Sequence, residues 1–149
     1  MTDTRILKPP ESKYMIPGYF GCVMDLYNGS QIYAPALAVA KKQFPDIDWI
    51  EPASKDWNNE QWLKEWAEII PHLGLLTILP RLDKTIGRGC YREIIDAGFV
   101  GIPRYIYDHD EQIFAPFKKV IKLPFIKRTF PHFARVYFHS PILINRSPQ

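Results

Sequence analysis

The sequence predicts an α/β fold: a doubly wound, flavodoxin-like, mostly parallel sheet of about five strands with helices on both faces. Three observations predict it. Over residues 18–108, short apolar runs alternate with helical periodicities in the order strand, helix, strand, helix, strand, helix, strand. That is the pattern of βαβ units with right-handed crossovers. One run, GLLTILP (74–80), reads as continuously apolar, as expected of a strand covered on both sides. The chain has 149 residues, one domain by size and enough to bury a sizeable core.

Residues 1–16 are polar and proline-bearing around KPPES, and read as a flexible N-terminal arm. Residues 17–149 then form the single domain. GYFGCVM (18–24) is the first strand, and DLYNGS (25–30) is turn chemistry. The alanine-rich stretch 31–44 reads as a helix with Pro35 in its first turn, where a missing N–H costs nothing. PDIDWIEP (45–52) carries a second strand around Trp49 and Ile50. Residues 54–73 give the clearest helix. Trp62, Trp66, Ile69 and Ile70 fall on one apolar face, Asp56 reads as the N-cap, and Pro71 ends the segment. After the third strand comes a glycine turn and a helix from about Gly89 to Val100, then a fourth strand in IPRYIYD (102–108). The tail segments FKKVIKLPFIKR and FARVYFHSPILI suggest one or two further strands, one at an edge because of Pro124.

Bulk properties narrow the function. No apolar run approaches the roughly 18–20 residues of a membrane span, and the first residues hold no apolar signal core, so a cytoplasmic protein without a membrane partner is expected. Cys22 and Cys90 are too few for a disulfide framework, and neither they nor the four histidines show metal spacing. No metal and no cofactor is expected. Net charge is +3, with seven Lys/Arg against one acid from Glu111 onward. This basic tail reads as a solvated face or a phosphate or partner contact, and the balance falls short of a dedicated nucleic-acid binder.

The stretch that carries chemistry is TIGRGCYREI (85–94). A glycine-bearing strand-to-helix turn leaves backbone N–H groups open to anions. Ligands of parallel sheets bind beyond the carboxyl ends of the strands, which places Tyr19, Asp25, Asp83, Arg88 and Glu93 near one mouth. Glu93 has a bland reading, as an acid favoured by the start of a helix by roughly 0.3–1 kcal/mol. Its sharper reading draws on Gly87 and Gly89, which let a ligand approach the backbone, and on Arg88 and Arg92, which can hold a carboxylate or phosphate. A carboxylate facing an anomeric carbon can act as nucleophile or stabilise an oxocarbenium-like transition state. GRGCYRE lacks the Gly-Lys-Ser/Thr of a phosphate loop, the first strand lacks the dinucleotide glycine spacing, and no serine sits in a nucleophile elbow.

YFGCVM (19–24) and TIGRGCYREIIDAGFVGIPRYIYD (85–108) resemble the nucleoside 2-deoxyribosyltransferase family and its nucleotide N-glycosidase relatives. The resemblance covers roughly 18–108 and rests on the Tyr-Phe-Gly opening, then glycine, glutamate, alanine at +4 (Ala97) and glycine at +8 (Gly101). It implies that Glu93 is the catalytic glutamate attacking C1′, with Tyr19 orienting it. It also implies that Gly21, Gly87 and Gly89 admit the substrate, and that Asp25 or Asp83 addresses base or sugar. Arg88 and Arg92 suggest a phosphorylated substrate. The family often keeps an aspartate at the start of the third strand, where this chain has Gly74 and Leu75, and two more residues separate Gly89 from Glu93 here than in the tightest family spacing. The implied function is cleavage or transfer at the N-glycosidic bond of a small-molecule nucleoside or nucleotide, by a homo-oligomer. The alternative is a non-catalytic nucleotide-binding or signalling module of the same fold.

Overall fold

A computed structural model of the chain describes residues 15–27, 30–124 and 132–140. Two sheets and three helices make up the described part. The first sheet has the strand order β2-β1-β3-β5-β6, built from β1 (Ile16–Cys22), β2 (Ile47–Ile50), β3 (Leu75–Leu79), β5 (Arg104–Asp108) and β6 (Ile113–Ala115). Its first four strands are parallel, and β6 returns antiparallel to β5. The second sheet is antiparallel, in the order β4-β8-β7, from β4 (Thr85–Ile86), β7 (Lys119–Lys122) and β8 (Ala134–Tyr137). The sequence expectation of a mostly parallel five-stranded sheet describes the first; the further strands expected in the tail are β7 and β8, but their pairing with β4 in a separate antiparallel sheet is not expected from sequence. Two-residue β4 is too short to show a period, and its partner β8 lies 48 residues on at the nearest pair, Ile86 with Ala134.

Helix α1 (Tyr33–Gln43) holds Pro35 in its first turn, as expected. Helix α2 (Asn59–Ile69) starts later than its apolar period suggests. Asn58, not Asp56, is its N-cap, in a capping box with Gln61: the Asn58 side chain accepts from the Gln61 N–H at 2.8 Å and the Gln61 side chain accepts from the Asn58 N–H at 2.9 Å. Two reciprocal bonds satisfy two orphan donors, more than a lone aspartate could. Pro71 sits in the 3-10 turn that closes the helix.

Helix α3 (Arg88–Phe99) ends in a Schellman motif. Ile102 N–H bonds Ala97 C=O and Gly101 N–H bonds Gly98 C=O, with Gly101 at φ +80°, a conformation glycine adopts without strain. Ala97 is fully buried. The alanine and glycine spaced after Glu93 are therefore also what this helix needs to pack and to stop.

Residues of β1 alternate between two cores. Tyr19 packs with Leu76, Ile78 and Ile106, with Trp66 of α2, with Ile94 and Ala97 of α3, and with Ile86, Ala134 and Val136 of the small sheet. Phe20 and Cys22 pack with Leu79, Tyr107, Phe114 and Ala36 and Ala40 of α1. Ile16 already pairs with Ile47, so the strand begins inside the segment read as an arm. The rest of that arm through residue 14, and the tail readings on 125–131 and 141–149, lie outside the described residues. No helix among the described residues is long and apolar enough to cross a membrane.

Candidate functional site

The strand order puts β1 between β2 and β3, so the chain leaves β1 to one side and later returns on the other. Such a reversal opens a crevice at the carboxyl ends of the strands. Strand alternation puts Tyr19 and Gly21 on the same face of β1. Glu93 reaches that face from α3 and Trp62 from α2.

Glu93 is 4% exposed and Tyr19 is fully buried. The Tyr19 hydroxyl donates to Glu93 Oε2 at 2.8 Å. The Trp62 indole Nε1–H reaches the same Oε2 at 3.0 Å and the Tyr19 oxygen at 3.1 Å. Glu93 Oε1 is buried with no hydrogen-bond partner among the described residues. It lies against Gly21, where an added Cβ would come within 2.7 Å of Oε1 and 2.6 Å of Ile78 Cδ1. The absent side chain at position 21 is thus the space Oε1 occupies.

Burial pushes the Glu93 carboxyl up to about 7, against the hydrogen bonds from Tyr19 and Trp62, which favour the anion. Burial, with Glu93 beside it, pushes the Tyr19 phenol far up, so it remains a donor. The bland reading of Glu93 does not survive: it is the sixth residue of α3, and the first turn contains no acid, whereas the macrodipole acts mainly within that turn. A carboxylate this buried with no cation is costly, and such groups concentrate at functional sites.

The other expected residues are distributed differently. Gly21 lies directly against the Glu93 carboxylate. Asp25 binds Arg81 through two bonds of 3.0 Å each, linking the segments that leave β1 and β3. Partial burial raises its carboxyl, but the Arg81 hydrogen bonds outweigh that and hold it below the usual range. Asp83 accepts from the Thr85 hydroxyl at 2.6 Å and the Thr85 N–H at 3.1 Å, with His132 Nδ1 2.9 Å from that hydroxyl. The Asp83 carboxylate thus forms a turn around Lys84, which lies at φ 71°. Asp25 and Asp83 are engaged with Arg81 and Thr85, and neither bonds Glu93.

Gly87 is the N-cap of α3. A Cβ on Gly89 would meet only the Trp62 ring, at 3.9 Å. Arg88 lies over the Phe133 ring at 5.3 Å. Arg92 pairs with Asp96 one turn along the helix at 3.2 Å, which accounts for it as a helix-surface charge. Cys22, Cys90 and Tyr27 stand close enough to Glu93 to sense its charge, and Asp25 and Arg81 act on both thiols. Burial pushes both thiols up, so neither is an activated nucleophile. Among the described residues no group of three or more His, Cys, Asp or Glu stands together to hold a metal ion.

The sequence does not mark Trp62, Arg81, Thr85 or His132 as site residues; it places Trp62 only on the apolar face of its helix. For Trp62 the signal was present: a large amphipathic ring on an apolar face brings an N–H that needs an acceptor when buried. Trp66 does the same one turn on, donating to Asp96 at 2.9 Å. Two indoles of α2 therefore grip two carboxylates of α3. No protein-family model matches the chain, and the curated proteins and solved structures give no significant match.

Proposed function

We propose that this protein cleaves or transfers at the N-glycosidic bond of a nucleoside or nucleotide, with Glu93 as the nucleophile. The observation that carries the reading is a buried carboxylate with one oxygen held by two donors and the other unpartnered beside a glycine. Its displacement to about 7 leaves a substantial ionised fraction near neutrality, while low dielectric keeps the anion reactive. In the reaction Oε1 bonds C1′, the C1′–N bond breaks, and its electron pair leaves with the base, which takes a proton from solvent. Water, or a second base, then attacks C1′ and frees the carboxylate. The strand order around β1 supports a doubly wound reading of the fold and, with it, a substrate site at the carboxyl edge. The Asp25–Arg81 pair spans that edge, so the substrate engages or parts it on entry.

The second reading, a non-catalytic nucleotide-binding module, draws on a specific observation. A cleft of about 380 Å³ is lined by residues including Lys41, Trp49 and Glu51, and one of about 400 Å³ by residues including Gly101, Arg104 and Phe117. Neither borders Glu93. Chromatographic measurement of base release from nucleosides and nucleotides separates the two. The glycosyl reading expects release by the wild type and loss with Glu93→Ala. Thermal stabilisation by a nucleotide with no release in either protein supports the module instead.

A further inference from the structure

We infer that Trp62 is a positioning residue for this site: with Tyr19 it anchors Glu93 Oε2, which makes Oε1 the oxygen that carries the proton and meets the substrate. The inference rests on the glycosyl reading for its catalytic consequence, and on hydrogen-bond geometry for the rest. A carboxylate oxygen in the plane of its group offers two good acceptor directions. Tyr19 Oη–H and Trp62 Nε1–H reach Oε2 at 2.8 and 3.0 Å, and both can only donate there, because the phenol stays protonated and an indole N–H cannot accept. A proton arriving on the carboxyl therefore goes to Oε1, the oxygen without a partner. The same asymmetry makes Oε1 the free lone pair when the group is ionised.

The Trp62–Tyr19 contact at 3.1 Å ties the three side chains into a closed triangle drawn from β1, α2 and α3. Rotation of the carboxylate would break two bonds at once, so the triangle fixes its plane as well as its anchored oxygen. Trp66 holds Asp96 and keeps α2 from sliding along α3. The titratable groups around Glu93 are Tyr19 from β1, Tyr27 after it, and Cys90 and Asp96 from α3, with Cys22 on the opposite face of β1 but within range of its charge. Trp62, the contribution of α2, does not titrate. Its N–H favours the anion, while its ring adds to the burial that raises the carboxyl, so a variant that keeps the ring and loses the N–H isolates the hydrogen bond.

The test compares the wild type with Trp62→Phe and with a protein carrying benzothienylalanine at position 62, which keeps the ring system and removes the N–H. The Glu93 side-chain carbon is titrated by NMR in the free protein, and base release is followed against pH. Loss of the N–H is expected to move the Glu93 midpoint up by about one pH unit. The acid limb of base release should move with it, kcat should fall about 10- to 100-fold as for one hydrogen bond to a charged group, and KM should change less than about twofold. A Glu93 midpoint that stays in place in the benzothienylalanine protein overturns the anchoring role, whatever the turnover. A midpoint that moves while the wild type releases no base leaves the anchor standing and overturns the glycosyl reading.

Discussion

Glu93→Gln should make the protein more stable at alkaline pH and leave it little changed in acid. Burial holds the Glu93 proton up to about 7 in the folded state, against an ordinary value of 4.5. Between those values the folded chain binds a proton that the unfolded chain has released, so stability falls as pH rises. The contribution is complete below about 4.5 and gone above about 7. At about 1.36 kcal/mol per pH unit it amounts to about 3 kcal/mol. Glutamine keeps an oxygen for Tyr19 and Trp62 and cannot ionise. The difference between variant and wild type should therefore grow by about 3 kcal/mol from pH 4.5 to pH 8, or about 6–12 °C in Tm for a chain of this size. Thermal melts of both proteins across that range measure it, and subtraction removes every other titration. Parallel curves for the two proteins would refute the reasoning, because they would mean that Glu93 ionises in the folded state as it does unfolded.

Three other outcomes follow from the same geometry. Gly21→Ala places a methyl within 2.7 Å of Glu93 Oε1 and 2.6 Å of Ile78 Cδ1, and should cost about 1–3 kcal/mol by denaturant unfolding, as overpacked sites do; an unchanged midpoint would contradict the close packing of Oε1 on β1. Asn58→Ala removes half of the α2 capping box and should cost about 0.5–2 kcal/mol, whereas Asp56→Ala should cost less, the reverse of what the apolar period alone suggests. Asp25→Asn loosens a pair whose acid is half exposed, so its stability change should stay within about 1 kcal/mol; if the pair spans the entry to the site, nucleotide association by stopped flow should change more than stability does.

The sequence carried the parallel sheet because its strands and helices announce themselves by different periods. GLLTILP became β3 with all five strand residues buried, and Trp62, Trp66 and Ile69 became the inner face of α2, with Ile70 just past its end. What escaped was set by distant partners. Thr85 and Ile86 form a strand only because Arg135 and Ala134 pair with them, and nothing local in two residues encodes that. The exception is the α2 cap: Asn58 displaced Asp56 because Gln61, three residues on, completes a capping box, a local signal that the sequence does hold. In the site, Tyr19 and Glu93 meet 74 residues apart, as the β1 and α3 segments suggest. Asp25, Asp83 and Arg92 instead found local or cross-loop partners in Arg81, Thr85 and Asp96. Charge alone could not reveal those pairings, because residue type says what a side chain can bind and topology decides what stands within reach.

A crystal of the protein soaked with a nucleotide tests the central claim most directly. The account predicts the sugar at the carboxyl edge of β1, with C1′ about 3–3.5 Å from Glu93 Oε1 and Oε2 still bonded to Tyr19 and Trp62. A nucleotide seated in either of the two clefts instead, with Glu93 still closed off, would contradict it.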